Sequence, residues 1–298
     1  MSTERRNPKS VDIDLFPTER ILKIINSEDA TVAAAVAAAI PEIVKAVDLA
    51  VNAIRSGGRM IYVGAGSSGR MAILDAAECP PTFSSPPEWV QAIIAGGAKA
   101  IVQAVEGAED NREKAEADLK AKKVEANDVV VALAAGGRTP YTHAAIEYAR
   151  SKGAKTVAVV AVPDSPIAKS ADVVIYTPVG PEVITGSSRM KAGTSQKLVL
   201  NMISTATMIR LGMTYSNWMI NVTMTNAKLH ERGVQILREI LGVSPEEAKS
   251  LSDASGGKLK LAVIMGTLGC SRKEAEKRLD EGGGNLRKVL GHLGSGRE

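Results

Sequence analysis

The chain has 298 residues, of which 45% are hydrophobic, 23% charged and 3% aromatic, and its formal net charge is +4. This composition is ordinary for a globular protein of about two domains, and the scarcity of aromatic residues argues against nucleic acid as a partner and favours a small anionic metabolite. No apolar run reaches the ~18 residues that span a bilayer, no signal region is recognisable, and the two cysteines and three histidines lack metal-ligand spacing, so we expect a soluble cytoplasmic protein without a membrane anchor or a metal.

Strands and helices alternate along the first part of the chain. Residues 1–28 are interpreted as an extended arm, followed by a helix that reaches about Ile54 and is broken at Pro41. Continuous apolar runs predict strands over 59–66, 90–97, 128–137, 155–162 and 172–179, with helices over 68–77, 109–123 and 139–153 between them. Strands without polar alternation are typical of a parallel sheet covered on both faces. We therefore predict an α/β fold, a doubly wound parallel sheet in an αβα sandwich.

Helices are predicted from residue 190 onward. Two long ones cover 190–211 and 221–241, and shorter segments follow Gly242. Ser244 and Ser271 each precede a glutamate by three residues, which is the spacing of a capping box. The sequence thus predicts a catalytic domain over 1–242, including the N-terminal arm, and a small three-helix, UBA-like module over 243–298.

Two glycine turns follow predicted strands. The first, GAGSSG at 64–69, matches the dinucleotide fingerprint, but the next strand ends in AGG at 95–97 and lacks the carboxylate that would hold a ribose. A serine-rich turn at a helix N-terminus instead suits a single phosphate. We interpret both turns as phosphate-binding loops at the switch point of the sheet, the alternative being tight turns that bind nothing. The candidate binding residues are Ser67, Ser68, Gly69, Arg70, Gly137, Arg138 and Thr139.

Longer stretches resemble a known family. They are TERRNPKSVDID (3–14), GAGSSGRMAILDAAECPPTF (64–83), AVEGAEDN (104–111), GGRTPY (136–141), GPEVITGSSRMKAGTSQK (180–197) and TNAKLHERG (225–233). Over nearly its whole length the chain is similar to the N-acetylmuramic acid 6-phosphate etherases, which are SIS-domain (sugar isomerase) proteins related to the vertebrate glucokinase regulatory protein. The resemblance implies a cytoplasmic homodimeric carbon–oxygen lyase of peptidoglycan recycling. Its reaction would give N-acetylglucosamine 6-phosphate and D-lactate without a metal or an organic cofactor.

The resemblance also assigns two functional glutamates, Glu78 as general acid and Glu109. Elimination of the lactyl group requires an acid and a base. Small neighbours and two prolines after Glu78 predict a partly dehydrated helix end, which would raise its pKa. Glu109 is predicted to begin a charged helix, whose dipole would favour the ionised base. The alternatives are a simple helix cap at Glu109 and, as the functional group, Glu106 three residues earlier.

Further candidates lie at the start of the long helices and within them. Ser187, Ser188, Arg189 and Lys191 stand among glycines and hydroxyl residues and would bind the phosphate or the lactyl carboxylate. His230 either reaches a partner's site or is an ordinary surface histidine. The helices over 190–241 carry more apolar residues than one face needs, which predicts a homodimer interface.

One position departs from the family pattern. The second loop commonly reads Ala-Ser-Gly-Arg-Thr, but this chain has Gly136 where the serine is usual. The missing hydroxyl predicts weaker substrate binding. Two other functions stay open at the level of the residues: an aldose–ketose isomerase acting on a sugar phosphate, and a sensor that binds one without turnover.

Overall fold

A single parallel sheet of five strands organises the first part of the chain. The computed structural model describes residues 4–221 and 227–291, with 227 and 228 described by their backbone alone. The strands run in the order β2-β1-β3-β4-β5. They are β1 (Met60–Gly64), β2 (Val90–Ile94), β3 (Val129–Leu133), β4 (Lys155–Val160) and β5 (Val173–Tyr176). All five lie within predicted strands, and the predicted doubly wound α/β fold is confirmed.

The central strands are buried on both faces, which explains their continuous apolar runs. Every residue of β1 and β3 is buried, and the two strands pair in register from Met60 with Val129. Alternate residues of a strand point to opposite faces. Ile61 packs in a cluster with Leu119 and Ala145, whereas Tyr62 on the other face donates a hydrogen bond to Asp75.

Nine helices precede residue 211 in the described chain. They are α1 (Thr18–Asp29), α2 (Val32–Ala37), α3 (Ile40–Arg55), α4 (Gly66–Phe83), α5 (Lys99–Val102), α6 (Arg112–Ala121), α7 (Pro140–Ser151), α8 (Pro166–Ser170) and α9 (Lys191–Arg210). Short 3-10 turns cover Pro8–Ser10, Ile13–Leu15 and Ala108–Asp110. Helices α6 and α7 contribute to the cluster around Ile61, so they cover that face of the sheet.

Two helix predictions near the N-terminus and the first loop are wrong. Residues 18–29 form a helix of their own rather than the end of an extended arm. The predicted break near Pro41 is present, at residues 38–39, and Pro41 stands in the first turn of α3, where its missing N–H costs nothing. Helix α4 does not end near residue 77 but continues through Pro80 and Pro81 to Phe83. The amide of Ser84 closes this last turn on the carbonyl of Pro80.

The described chain divides into two compact units. Of the described residues, 4–77 and 87–207 belong to the first, and 78–86, 208–221 and 227–291 to the second. The division therefore does not fall at 242, because helix α10 (Ala227–Leu241) shares a core with the helices after it. These are α11 (Pro245–Ala254), α12 (Leu259–Leu268), α13 (Arg272–Glu281) and α14 (Leu286–Leu290). The described part of the predicted three-helix module thus has four helices; its likeness to a UBA module stays a prediction.

Local signals in the second unit are partly confirmed. Ser244 and Glu247 form the complete reciprocal capping box. Ser271 accepts the Glu274 amide, but the Glu274 carboxylate binds Arg278 instead of completing the box. The beginning of the helix predicted over 221–241 and the end of the chain, 222–226 and 292–298, lie outside the described residues.

None of the described helices is by itself long and apolar enough to cross a bilayer. One pair, Thr18–Ala37 with Ile40–Arg55, meets the length and composition criteria only when its two arms, bent by 60°, are taken together.

Candidate functional site

The two glycine loops follow adjacent strands, as predicted. Strand β1 has β2 on one side and β3 on the other. The order in which parallel strands are added to the sheet therefore reverses between β1 and β3. Such a switch point opens a crevice beyond the carboxyl ends of the strands. The first loop and α4 follow β1, and the second loop and α7 follow β3. The fold thus brings the two predicted phosphate-binding loops to one edge of the sheet.

The first loop requires its glycines for close packing. A Cβ on Gly69 would lie 2.5 Å from Cγ1 of Ile94 and 2.9 Å from the carbonyl oxygen of Gly64. Helix α4 can therefore begin directly against the sheet, and its first N–H groups have no partner within the helix. Ser67 and Ser68 are half-buried in this first turn. The loop retains the donors that a phosphate group requires.

The second loop is equally tight. Gly137 has a φ of +61°, and a Cβ there would lie 2.1 Å from Oγ of Ser165. Thr139 is the N-cap of α7 and makes no capping bond with its side chain, while Arg138 is exposed. A Cβ on Gly136 would meet no atom within 4 Å. Position 136 therefore has room for the serine that is usual in the family.

A cavity of about 200 Å³ lies beside the first loop. Its lining includes Gly66, Arg70, Glu106 and Glu109. The structure thus places the predicted Glu109 beside the first loop. Glu106, the alternative functional glutamate, lines the same cavity. A cavity of this size is smaller than the ~300 Å³ or more of a complete ligand pocket, so it would accept only part of a sugar phosphate.

Glu109 does not begin a helix, contrary to the prediction. It is exposed in the 3-10 turn Ala108–Asp110, and α6 starts only at Arg112. The cap of α6 is Asn111, whose side chain accepts the Lys114 amide at 2.8 Å. The helix-cap alternative for Glu109 is therefore wrong, and its carboxylate is left for another role.

The environment predicted for Glu78 is also wrong. Glu78 is exposed on α4, within the second compact unit, and is not among the residues lining the 200 Å³ cavity. The dehydrated carboxyl group on this helix belongs to Asp75, which faces the sheet. Burial raises the pKa of Asp75, although hydrogen bonds from Tyr62 and Ser204 oppose the rise. The dehydrated carboxyl group expected on this helix thus lies three residues earlier, at Asp75.

Lys191 is buried in an ion pair rather than available to a phosphate. Its Nζ lies 2.6 Å from Oε2 of Glu28, and the two side chains are 3% and 7% exposed. Asn7 and Lys9 bind the same carboxylate at 2.7 and 2.9 Å. Burial opposes ionisation of Glu28, but hydrogen bonds from Lys191, Lys9 and Asn7 outweigh it and lower the pKa to about 2. We call these four residues the Glu28 cluster.

The segment before α9 is held by a second buried carboxylate. Glu182 accepts the backbone amides of Lys191 and Ala192 at 2.9 Å each, so the first turn of α9 is already capped. Ser10 donates to the carbonyl of Val183 at 2.7 Å, which ties the N-terminal arm to the same segment. The N-terminus of α9 is therefore a poor candidate for binding a phosphate, unlike those of α4 and α7.

Four further candidates from the sequence are not part of the Glu28 cluster and do not bind Glu182. Ser187 is half-buried, and Ser188 and Arg189 are exposed, in the turn that leads into α9. His230 is exposed on α10 and lines a larger cavity of about 850 Å³ within the second unit. That cavity contains none of the other predicted site residues, so its size alone does not make it the site.

Sequence reasoning missed Glu28 and Glu182. Glu28 is 163 residues from Lys191, and no spacing rule connects such distant positions. One signal was available: the stretches 3–14 and 180–197 both carry the family resemblance. In the structure these two stretches are joined by hydrogen bonds.

Similarity to known proteins identifies the class of the fold. The SIS domain family matches residues 106–206, and the glucokinase regulatory protein N-terminal SIS domain matches residues 42–150. A ligand-bound protein of E. coli CFT073 has a TM-score of 0.50 at 19% identity, over 68% of this chain and 97% of that one. A phosphoheptose isomerase from Francisella tularensis has the same TM-score and identity over 62% and 97%. The parallel sheet with its two glycine loops is that of a SIS-domain protein.

Relatives that match most of the chain identify the family. N-acetylmuramic acid 6-phosphate etherase 1 of Vibrio cholerae is 52% identical over 263 residues, which is 88% of each chain. The etherase of Salmonella dublin is 49% identical over 263 residues, 88% of this chain and 89% of its own. This chain belongs to the N-acetylmuramic acid 6-phosphate etherase family.

Proposed function

We propose that the protein cleaves the D-lactyl ether of N-acetylmuramic acid 6-phosphate, giving N-acetylglucosamine 6-phosphate and D-lactate. The observation that carries this proposal is identity of about half the residues to named etherases over 88% of the chain. The exposed Glu109 beside the first glycine loop supports it independently, because it places a carboxylate next to a phosphate-binding turn. The reaction would make the protein a carbon–oxygen lyase of cytoplasmic peptidoglycan recycling.

The proposed chemistry is an elimination followed by hydration. In the ring-opened sugar the C2 proton is α to the C1 aldehyde, and the ether oxygen on C3 is β to it. A base removes the C2 proton, the C3–oxygen bond breaks, and an acid protonates the departing lactate oxygen. Water then adds to C3 of the enal, and a proton returns to C2. We assign the base to Glu109 and the acid to Glu78.

We assign substrate recognition to the two loops. Ser67, Ser68 and Gly69 would bind one anionic group at the start of α4, and Gly137, Arg138 and Thr139 another at the start of α7. Ser187, Ser188 and Arg189 would complete the site from the turn before α9. Lys191 would stabilise that turn through its ion pair in the Glu28 cluster, and would not contact the substrate.

Release of D-lactate tests this function directly. The purified protein would be incubated with N-acetylmuramic acid 6-phosphate, and D-lactate measured by coupled oxidation with D-lactate dehydrogenase. N-acetylglucosamine 6-phosphate, which lacks the lactyl group, is the matched negative control. D-lactate formation supports the etherase; ketose formation from an aldose phosphate would instead establish the isomerase, and binding without turnover the sensor.

We also propose that the enzyme is a homodimer. The buried face of α9 includes Leu200 and Ile203, yet Met202 and Ile209 on the same helix are 38% and 52% exposed. These two residues are seven apart and so lie on one helical face. A second copy of the chain would cover this face, as the sequence predicts for the helices over 190–241.

A further inference from the structure

Arg70 directs its side chain to the protein backbone. It lies in the first turns of α4, directly after the first glycine loop. Its Nε donates to the carbonyl oxygens of Ala100 and Ile101 at 3.1 and 3.0 Å, and its Nη2 donates to that of Gln103 at 3.1 Å. These carbonyls lie at the C-terminal end of α5, where backbone acceptors have no partner within a helix.

The segment that Arg70 holds has few other anchors. Helix α5 has only four residues, too few to be stable by itself. Ala100 is buried, but Ile101 and Val102 are 40% and 80% exposed, so they add little apolar packing. Val105, further on, lies against Gly96. Arg70 therefore supplies three hydrogen bonds from outside the segment to the chain between β2 and the 3-10 turn.

That segment leads straight to the carboxylates of the cavity. Glu106 is three residues beyond Gln103, and Glu109 is six residues beyond it. Arg70 and residues 103–109, which include both glutamates, line the same cavity. A guanidinium group placed on these carbonyls also puts a cation at a helix C-terminus, where it is favourable.

We propose that Arg70 is a positioning residue, which holds the segment 100–109 so that the Glu109 carboxylate is correctly placed against the substrate. This rests on the proposed function, in which Glu109 is the base. It replaces the sequence-based role of Arg70 as a substrate-binding cation. Catalysis is sensitive to such placement, because an error of 1 Å at the reacting groups costs roughly a hundredfold in rate.

The test is steady-state kinetics of Arg70→Met and Arg70→Lys with N-acetylmuramic acid 6-phosphate. We expect Arg70→Met to lower kcat by about ten- to a hundredfold and to leave KM within about threefold. Arg70→Lys, which keeps the charge but not the forked donors, should recover part of kcat. Backbone amide exchange over 99–111 should become faster in Arg70→Met, while exchange over 180–197 stays unchanged.

Arg59 is the matched control. Its guanidinium also binds a backbone carbonyl, that of Lys123, together with the Asp128 carboxylate, but at the start of β1, the opposite end from the loops. Arg59→Met should lower stability without changing kcat. Should Arg70→Met fail to fold, Arg70→Lys decides through its kcat and its exchange over 99–111.

Two results would overturn the role of Arg70. A KM increase of tenfold or more with kcat retained would make Arg70 a substrate ligand. If Arg70→Lys and, where it folds, Arg70→Met both keep wild-type kcat and wild-type amide exchange, Arg70 has no positioning role. The proposed function fails separately, when the wild-type protein releases no D-lactate. A fully active Glu109→Gln would remove Glu109 as the base, and the role of Arg70 with it.

Discussion

Replacement of Glu28 by glutamine removes the carboxylate that joins the N-terminal arm to α9. In the native protein its pKa is about 2 instead of 4.5, because the hydrogen bonds from Lys191, Lys9 and Asn7 outweigh burial. At about 1.4 kcal/mol for each pKa unit, the ionised carboxylate contributes on the order of 3 kcal/mol to the free energy of unfolding. Since the folded pKa is lowered, this stabilisation is complete above about pH 4.5 and is lost as the pH falls towards 2.

The same loss can be estimated from the partner of Glu28. Glu28→Gln leaves the Lys191 ammonium group, whose side chain is 3% exposed, without its counterion. Removal of one partner from a buried ion pair typically costs about 3–5 kcal/mol. Lys9→Met removes a partner of the same carboxylate, but the Lys9 side chain is 63% exposed, so less than about 1 kcal/mol is expected. Lys9→Met is therefore the matched control.

Urea unfolding between pH 7 and pH 3 measures both effects. The chain has two tryptophans, and only Trp89 lies in the compact unit of Glu28. With Trp218→Phe in the background, fluorescence reports the unfolding of that unit alone. Relative to wild type, Glu28→Gln should lose about 3 kcal/mol at pH 7, and this difference should shrink below pH 4.5. A loss below about 1 kcal/mol at pH 7, or a difference independent of pH, would refute the reasoning.

Two further predictions concern binding and assembly. Gly136→Ser should lower KM about tenfold or more at unchanged kcat, because one hydrogen bond to a charged group contributes about 1.5–3 kcal/mol and a side chain fits there without strain; an equal or higher KM in steady-state kinetics would mean that position 136 does not contact the ligand. Met202→Glu should convert a dimer to a monomer in analytical ultracentrifugation at micromolar concentration, because it places a charge on the exposed apolar face of α9, whereas Lys197→Glu, on the same helix, serves as a charge control. A wild-type protein that is already a fully active monomer would end the dimer proposal.

The strands could be predicted because a parallel sheet buries them on both faces and therefore demands unbroken apolar runs. The two loops followed from the same logic, since each glycine turn comes directly after such a run and parallel strands end at one edge. The ends of the helices were harder to predict from the sequence. Pro80 and Pro81 indicated an end to α4, yet the helix continues past them to Phe83.

Side-chain environments depended on contacts that the sequence does not reveal. Lys191 stands among glycines and serines, which suggested an exposed anion site, but its partner Glu28 comes from a distant helix. On α4, Asp75 and Glu78 differ by less than one turn, and only the packing against Tyr62 and Ser204 decides which of them is buried. For Arg70, the acceptors lie thirty or more residues further on, in α5 and at its C-cap Gln103.

The fate of the C2 proton tests the central claim, elimination with Glu109 as base. Wild type and the matched variants Glu109→Gln and Glu106→Gln would act on N-acetylmuramic acid 6-phosphate in D₂O, and in water labelled with ¹⁸O, with the sugar product analysed by NMR and mass spectrometry. We predict deuterium at C2 and labelled oxygen at C3 for wild type and Glu106→Gln. Glu109→Gln should lose cleavage and C2 exchange together, by about a hundredfold or more. A product without deuterium at C2 would contradict the elimination, and a Glu109→Gln variant as active as Glu106→Gln would contradict the assignment of the base.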